Sequence, residues 1–531
     1  MEKMRRYAQS APITFESWFV SFIGIVFVRI LFEQFSSFKI GEFTLIDIPA
    51  IIHIAIFYLV TIVVLITILM FFGKTNLKEV SVICIIGFFV IWVAPIIDLA
   101  TGGVGGHTMT YLFIPGKELL IRFLTFFGGH ITDGITLGIQ LETILGIIFC
   151  YVYVYSATKK IFRAIGAVVT FYVFIFFIVS IPSLIILFTI HQNNVSASIR
   201  QTVMSSHVLY NNINPNFTAN YAGLYNLAFD KVMIGTHTII ALLALALLFF
   251  LGLRKKFVAL VKNSRPERIF HFYLLFLFGS SLVHAKWFYN WVDIQSYILA
   301  LIAFTSAWMF SVCQNDIYDK TIDVVSNPGR PLIAKDLSKK DMTVASKIFL
   351  LISLLSAYAS GTYILFFTGL FIMVYYIYSN PPLRLKRFVL LNSFMVSLAC
   401  LDIILAGFFL ISLNKNITAF PFGLIVAIII FFATVSNIRD LKDVDGDGAA
   451  GIKTIPVLLG LKKSKKLIAG IICIFFLLIP WYFQVSFLII PSIIATILSW
   501  YFITQENYTE WKGFLVYMVY LLFIIGANLL K

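Results

Sequence analysis

The sequence predicts an all-α protein that crosses a membrane many times. Of its 531 residues, 60% are hydrophobic and only 12% are charged, and the mean hydropathy is +0.95. Apolar runs of about 20 residues, the length that an α-helix needs to cross a bilayer, recur along the whole chain. Because no soluble fold can bury this much apolar surface, we expect a polytopic helical membrane protein.

The distribution of charge fixes the expected partners and orientation. A net charge of +15 would suggest nucleic acid in a soluble chain. Here the basic residues cluster in short loops between apolar runs, which is typical of cytoplasmic loops. We therefore expect membrane lipids and no nucleic acid as partners, a prokaryotic cell membrane as the location, and a cytoplasmic N-terminus. The five cysteines lie in or beside apolar runs, so no disulfide is expected.

Apolar runs in the first half predict six spans, near 15–36, 47–72, 79–98, 135–158, 164–190 and 232–253. The stretch 108–127 is also apolar, but four residues interrupt it: Pro115, Lys117, Glu118 and Arg122. Loop charges alternate correctly only if this stretch does not cross, so we expect it to be re-entrant or interfacial on the outer side. The loop 191–231, with few basic residues, should lie outside.

The segment 254–268 is strongly basic and predicts a cytoplasmic linker between two domains, without apolar packing surface of its own. The first domain, 1–253, carries no motif that predicts a function. The second, 269–531, is predicted to have nine spans, near 269–285, 293–314, 342–361, 363–379, 388–411, 418–437, 467–485, 486–504 and 513–530.

An acidic cluster follows the second of these nine spans. If the helix continues, Asn315, Asp319 and Asp323 lie at i, i+4 and i+8, within roughly 80° of one another, and Asp316 lies beside them. Carboxylates on one face repel each other strongly at low dielectric. A divalent cation would relieve the repulsion, and an oxygen-only ligand set favours Mg²⁺. The alternative is a solvated acidic helix end.

A second acidic cluster follows the span near 418–437. Asp440, Asp443 and Asp447 lie at i, i+3 and i+7, within about 60° of one face, whereas Asp445 points elsewhere. An EF-hand calcium loop is excluded because its twelfth position would be Thr454 rather than a bidentate Glu. Two acidic clusters at the ends of spans predict a two-sided cation clamp for a diphosphate.

Four segments in this order resemble the UbiA superfamily of intramembrane prenyltransferases, over about residues 265–531. They are Asn-Asp-x-x-Asp-x-x-x-Asp from Asn315, Asn-Pro-Gly-Arg-Pro-Leu from Asn327, the basic loop 378–387, and Asp-x-x-Asp-x-x-Gly-Asp from Asp440. The resemblance implies a nine-helix bundle that transfers a polyprenyl group from its diphosphate to an acceptor of quinone or aromatic, tetrapyrrole or glycerol-phosphate type. One departure is Leu391-Asn392, where the family usually has Gly-Asn.

The chemistry assigns roles to these segments. The allylic C–O bond breaks when negative charge on the leaving diphosphate is neutralised, by metal ions and by Lys or Arg. The predicted metal ligands are Asn315, Asp316, Asp319, Asp323, Asp440, Asp443 and Asp447, with Asp319, Asp323, Asp440 and Asp443 as the catalytic set. The predicted diphosphate ligands are Asn315, Arg330, Tyr378, Arg384, Lys386, Arg387 and Lys453. The alternative for the basic residues is that they only set topology. With this topology, the active site faces the cytoplasm.

Polar residues elsewhere leave alternatives open. Asp402, inside a predicted span, either contacts the acceptor or pairs with a neighbouring helix. Arg29 and Glu33, at i and i+4, predict an intrahelical ion pair. Five further residues near the outer side could form a second polar site, but without metal-type spacing: Asp98, His107, His130, Asp133 and Glu142.

Two other functions are considered. A phosphoribosyl-type transferase of the same superfamily, acting on a polyprenyl phosphate, is disfavoured by the Tyr-Ser-x-Pro-Pro sequence of the basic loop. A membrane transporter is compatible with many spans, but we see no inverted repeat in the sequence.

Overall fold

The computed structural model describes residues 1–38, 48–101, 111–128, 135–189, 195–206, 221–441, 444, 448 and 454–530. Helices form almost all of the regular structure in these ranges, which confirms the all-α prediction. Within the described residues, contacts divide the chain into two compact units, 1–206 with 221–257 and 258–530.

The helices of the first unit are Glu2–Ser10 (α1), Phe15–Phe38 (α2), Ile48–Gly73 (α3), Leu77–Gly87 (α4), Val93–Thr101 (α5), Gly116–Leu124 (α6), Leu137–Thr158 (α7), Ile161–Val179 (α8), Ile181–Thr189 (α9), Val195–Met204 (α10) and Tyr221–Gly252 (α11). In the described part of this unit, six segments are long and apolar enough to cross a membrane: Phe15–Phe35, Ile48–Gly73, Leu77–Thr101, Leu137–Thr158, Ile161–Val179 and Tyr225–Gly252. They coincide with the six predicted spans.

In its described part, residues 111–127, the interrupted stretch contains one short helix. α6 has nine residues, which corresponds to about 13 Å of helix against about 30 Å of hydrocarbon. Its length agrees with the prediction that this stretch does not cross.

The helices of the second unit, with the one that leads into it, are Arg254–Lys262 (α12), Pro266–Ser281 (α13), Trp291–Tyr318 (α14), Lys320–Ser326 (α15), Lys339–Ser360 (α16), Thr362–Ser379 (α17), Val389–Ile411 (α18), Phe422–Val435 (α19), Asn437–Asp440 (α20), Ile455–Leu459 (α21), Leu461–Phe483 (α22), Ile489–Thr504 (α23) and Glu510–Leu529 (α24). Each of the nine predicted spans overlaps one of them. Seven are long enough to count as candidate spans, whereas α13 and α19 have 16 and 14 residues. The division into six and nine spans stays a prediction.

Paired glycines bring α13 and α18 into backbone contact. A Cβ on Gly279 would lie 1.9 Å from the carbonyl oxygen of Ile404, and one on Gly407 would lie 2.1 Å from that of Phe276. Only glycine fits at these positions, because any side chain would force the helices apart. The close crossing fixes the two helices that line the site described below.

The predicted linker is partly built into the second unit. The boundary between the units falls after Phe257, and α12 continues through it. Ala259 and Leu260 pack with Cys313 and Met342 in a small apolar cluster. The expectation that this segment carries no apolar packing surface therefore does not hold, because the second half of α12 is part of the second unit.

Several polar residues that the sequence singled out in the first unit have ion-pair or hydrogen-bond partners within that unit. Arg29 Nη1 lies 2.5 Å from Glu33 Oε2, which confirms the predicted pair. Asp98 accepts hydrogen bonds from Thr136 Oγ1 (2.6 Å) and the Gly138 amide (3.1 Å), so it caps α7. Of the other residues predicted for an outer polar site, Glu142 lines a different cavity, whereas His107, His130 and Asp133 lie outside the described residues.

Candidate active site

The first acidic motif spans a kink between two helices. α14 ends at Tyr318, and Asp319 adopts φ −95° and ψ 9° before α15 begins. The sequence predicted one continuous helix through the motif, and the break between α14 and α15 differs from that prediction. The hydrogen bonds from the Asp319 amide to the Asn315 carbonyl (2.8 Å) and from the Asp323 amide to the Asp319 carbonyl (2.9 Å) nevertheless persist. As a result Asn315, Asp319 and Asp323 still line one cavity.

Asp316 faces away from that cavity and organises its wall. Its side chain is 1% exposed, and Asn263 Nδ2 donates to it over 2.7 Å. Arg265 and Arg330 contact the same carboxylate at 2.9 and 3.0 Å. Arg330 also pairs with Asp323. In this structure Asp316 therefore holds two arginines in place, and its predicted role as a metal ligand stays a prediction.

The basic loop reaches across the cavity to Asp319. Arg384 and Lys386 each pair with one oxygen of the Asp319 carboxylate, and Lys386 Nζ lies 3.2 Å from Asn315 Oδ1. Arg384 adopts a left-handed conformation with φ 45°, which non-glycine residues seldom adopt. The exposed Arg387 is not among the described residues that line the cavity.

A polar chain connects the loop to the second acidic motif. Tyr378 Oη donates to Asn392 Oδ1 over 2.9 Å, and Asn392 Nδ2 lies 3.5 Å from Asp440 Oδ2. Asn392 therefore links Tyr378 of the basic loop to Asp440 of the second acidic motif. Asp440 is buried and lines the cavity. Asp443, Asp445, Asp447 and Lys453 lie outside the described residues.

These side chains surround a cavity of about 250 Å³ with two different ends. Its charged end carries the residues just described. Its other end is lined by the aromatic rings of Phe272, Trp308 and Tyr375, with Val312 and Val396 beside them. The cavity therefore offers one environment for an anionic group and another for a hydrocarbon group.

The formal charges of the charged end cancel among the described residues. Four carboxylates are matched by four basic side chains: Asp316, Asp319, Asp323 and Asp440 against Arg265, Arg330, Arg384 and Lys386. A fifth basic side chain that lines the cavity, Arg268, pairs with Glu510. Burial raises the pKa of Asp323 although Arg330 opposes this, and burial lowers the pKa of Lys386 although Asp319 opposes this. Burial thus disfavours both charged forms, which rely on their partners.

The donor chemistry of the charged end fits Mg²⁺. Asn315, Asp319, Asp323 and Asp440 offer oxygen atoms to one cavity, and Mg²⁺ typically takes one or two carboxylates together with phosphate oxygens. In the described part of the chain no three acidic, His or Cys side chains are close enough to hold one ion. This agrees with the ion pairs described above, in which the carboxylates of Asp319 and Asp323 are bound to basic side chains.

Residues 272–524 match the model of the UbiA prenyltransferase family. The second half of the chain is a UbiA-family domain. The resemblance carried by the four motifs is thereby confirmed. The match ends within α24 and does not extend into the first unit.

Several relatives are similar to part of the chain. A 2-acylphloroglucinol 4-prenyltransferase from Humulus lupulus is 28% identical, over 37% of this chain and 49% of the relative. A digeranylgeranylglyceryl phosphate synthase from Methanoculleus marisnigri is 28% identical, over 28% of this chain and 52% of the relative. A homogentisate solanesyltransferase from Arabidopsis thaliana is 27% identical, over 42% of this chain and 61% of the relative. The chain spans about half the length of the first of these relatives.

Among solved structures, a UbiA homologue from Archaeoglobus fulgidus bound to GPP and Mg²⁺ is 20% identical, with a TM-score of 0.39 over 50% of this chain and 99% of that chain. A UbiA homologue from Aeropyrum pernix is 18% identical, with the same TM-score, over 49% of this chain and 98% of that chain.

Sequence reasoning missed four residues of the site. Asn263 and Arg265 hold Asp316, and Arg268 and His271 line the cavity. All four precede the first motif by more than 40 positions, and no spacing rule links them to it. Asp402, singled out by its place in a span, is 2% exposed, and neither carboxylate oxygen has a hydrogen-bond partner among the described residues. It does not line the described cavities.

Proposed function

We propose that the second half transfers a polyprenyl group from a prenyl diphosphate to a membrane-associated acceptor, with Mg²⁺ as cofactor. The observation that carries this proposal is the cavity with a charged end and an aromatic end. A prenyl diphosphate has the same two parts, an anionic group joined to a hydrocarbon chain. The family match and the prenyltransferase names of the relatives support the same reaction.

Donor binding exchanges the partners of the basic side chains. Arg384 and Lys386, which now neutralise Asp319, turn to the phosphate oxygens, and Arg330 does the same from the side of Asp323. Lys and Arg bind phosphate oxygens through charge-assisted hydrogen bonds. The freed carboxylates of Asp319 and Asp323, with Asp440 opposite, would hold Mg²⁺, which when bound supplies Lewis-acid neutralisation of the diphosphate.

The aromatic end protects the reactive group that bond cleavage produces. When the C–O bond breaks, its electron pair leaves with the diphosphate and an allylic cation remains. Trp308, Tyr375 and Phe272 line the same cavity as the charged side chains. Aromatic faces attract cations by about 0.5–2 kcal/mol each, more when water is excluded. These rings therefore stabilise the cation and keep water from it.

The test measures diphosphate release from labelled geranyl diphosphate by the full-length protein in liposomes. We expect release with Mg²⁺ and its loss when EDTA is added in excess. A polyprenyl phosphate tested with a phosphorylated sugar donor should give no product. Product from that pair, without any release from prenyl diphosphates of several lengths, would contradict the proposal in favour of the phosphoribosyl-type reaction.

A further inference from the structure

Four polar side chains form a continuous chain inside the first unit. Asp230 Oδ1 lies 2.8 Å from His53 Nδ1, and His53 Nε2 lies 2.6 Å from Tyr111 Oη. Tyr111 Oη lies in turn 3.5 Å from His237 Nε2, and His237 Nδ1 lies 2.6 Å from the carbonyl oxygen of Met233. Four consecutive contacts therefore connect a carboxylate to a backbone carbonyl.

This chain is buried within candidate membrane spans. His53 belongs to α3 and His237 to α11, where it lies near the middle of the span. Both histidines are 0% exposed and Tyr111 is 3% exposed. The ring centroids of Phe57 and Phe229 lie 5.5 Å from that of His237 and 6.4 Å from that of His53, respectively. Ionisable side chains inside spans are rare and commonly belong to proton relays or ion pathways.

Non-helical backbone carries Tyr111 to the two histidines. Residues 111–115 form no helix and pack against the break between α8 and α9, where the Leu112 amide donates to the Val179 carbonyl over 2.9 Å. Irregular backbone at membrane depth is tolerated only where protein or a cavity satisfies it, and interrupted helices are a common setting for ion sites. The interruption places one hydroxyl between two imidazoles.

The chain has one hydrogen fewer than it has contacts. The Met233 carbonyl can only accept, so Nδ1 of a neutral His237 carries its hydrogen and Nε2 carries a lone pair. The Asp230 carboxylate likewise accepts from Nδ1 of His53, which leaves a lone pair on its Nε2. Tyr111 has a single hydrogen for the two lone pairs that face it. It serves His53 at 2.6 Å, and the 3.5 Å contact with His237 holds no hydrogen.

Charged groups of the surrounding helices act on any added proton. The Asp230 carboxylate, 2.8 Å from the His53 ring, favours a positive charge there. The break between α8 and α9 carries no ionisable side chain. Lys231 and Arg200 oppose an added positive charge. The ionisable groups on the packed helices are Lys231 and Tyr225 of α11, Arg200 of α10 over the Tyr225 ring, the Arg29–Glu33 pair of α2 with Tyr58 of α3, and Glu142 of α7.

We propose that these side chains form an intramembrane proton site, in which one added proton is shared between His53 and His237 through Tyr111. A proton from water forms an N–H bond at His53 Nε2, and the Tyr111 hydroxyl turns to donate to His237. The imidazolium then faces the Asp230 carboxylate, and all four contacts hold a hydrogen. When the Tyr111 hydrogen passes to His237 and the His53 Nε2 hydrogen passes to Tyr111, the charge reaches the deeper imidazole. This site does not depend on the proposed function of the second unit.

The test titrates the two imidazoles directly. Full-length protein with isotope-labelled histidine is reconstituted in liposomes, and the ring nitrogen signals are followed by solid-state NMR between about pH 4 and pH 9. His53→Gln and His237→Gln identify the two signals by their loss. In the wild type we expect both signals to change at one common midpoint, with changes that sum to one proton. Two imidazoles that stay neutral throughout, or that each take up a full proton independently, would overturn the shared site.

Tyr111→Phe tests transfer through the hydroxyl, and Tyr153→Phe is its matched control. Tyr153 is also buried in the first unit, and its hydroxyl lies 2.9 Å from Thr75 Oγ1. In Tyr111→Phe we expect His53, beside Asp230, to titrate alone while His237 stays neutral. Tyr153→Phe should keep the common midpoint. A shared titration that persists in Tyr111→Phe would overturn the role of the hydroxyl as the connection.

Asp230→Asn tests the counter-charge without changing the shape of the side chain. We expect the common midpoint to fall by about 1–3 pH units, the range for loss of an adjacent opposite charge. Asp230→Glu should bring the midpoint back towards the wild-type value. An unchanged midpoint in Asp230→Asn would overturn the assignment of this carboxylate as the partner of the imidazolium.

Discussion

Both units of the chain bury charged residues, and those of the candidate active site lie in different places along the helices from an ion pair of the first unit. In the active site, Asp319 lies at the end of α14, Asp440 at the end of α20 and Lys386 after α17. In the first unit, Arg29 and Glu33 lie inside a helix. Arg29 is in the middle of α2, where it pairs with Glu33 and donates to Tyr58 Oη of α3.

The cavities beside these charges differ as well. The first unit has a cavity of about 90 Å³, lined by Arg29, Tyr58 and Glu142 and otherwise mostly apolar. It is too small for a diphosphate and its hydrocarbon chain. Charge at helix ends can be exchanged with an incoming anion, whereas charge inside a span is held by its neighbours. The difference supports the proposal that the second unit binds the prenyl diphosphate.

The largest expected effect comes from where a truncation begins. A protein starting at Arg254 should insert and retain Mg²⁺-dependent diphosphate release, because helices satisfy their own backbone in the membrane. One starting at Pro266 loses Asn263 and Arg265, two of the partners of Asp316, which costs about 3–5 kcal/mol for a buried carboxylate. We expect it to lose release. Inactivity of a well-folded protein from Arg254 would show that the first unit completes the active site.

Removing one carboxylate should nearly abolish the reaction. We expect Asp319→Ala and Asp443→Ala each to lower diphosphate release by roughly 10²–10³-fold. Because the two act as a unit, the double variant should be little worse than either. Asp336→Asn, an exposed acidic residue of the same unit, and Glu142→Gln of the first unit are controls that should keep normal release. Asp445→Ala should be much milder than Asp443→Ala. Near-normal release by Asp319→Ala would rule out the proposed site.

Within the basic loop, burial separates two neighbours. Lys386 pairs with Asp319, whereas Arg387 is exposed. We expect Lys386→Gln to raise the KM for geranyl diphosphate about tenfold or more, since one charge-assisted hydrogen bond is worth about 1.5–3 kcal/mol. Arg387→Gln should change it less than about threefold, as expected for a surface charge. Equal effects would assign both residues to general attraction of the anion.

Orientation can be tested without any substrate. Single cysteines at the exposed Lys340 and Lys462, in a cysteine-free background, should react only with a reagent added to the cytoplasmic side. One at Asn211 should react only from outside. The substitutions at Lys340 and Lys462 should not alter activity, because neither residue lines the cavity. Labelling of Asn211 from the cytoplasm would mean that the stretch 108–127 crosses.

The parts of the site that follow local spacing were predictable. Asn315, Asp319 and Asp323 recur at one helical turn, and the spacing survives the kink that it could not reveal. Lys386 was found as a member of a basic loop. Arg265 and His271 were not, because only the packing of α13 against the rest of the unit brings them to the cavity. Asp316 was expected to bind a metal together with its neighbours. In the structure its side chain pairs with two arginines in the wall of the cavity instead.

The glycine pair between α13 and α18 has a consequence for the evolution of this domain. His271 on α13 and Cys400 on α18 both line the cavity of the candidate active site, so the spacing between these helices sets its width. That spacing is possible only because Gly279 and Gly407 have no side chain at the crossing. Replacing either glycine by alanine would push the two helices apart and move one wall of the cavity, without changing any residue that lines it. Selection for larger or smaller substrates can therefore act on two glycines that do not line the cavity.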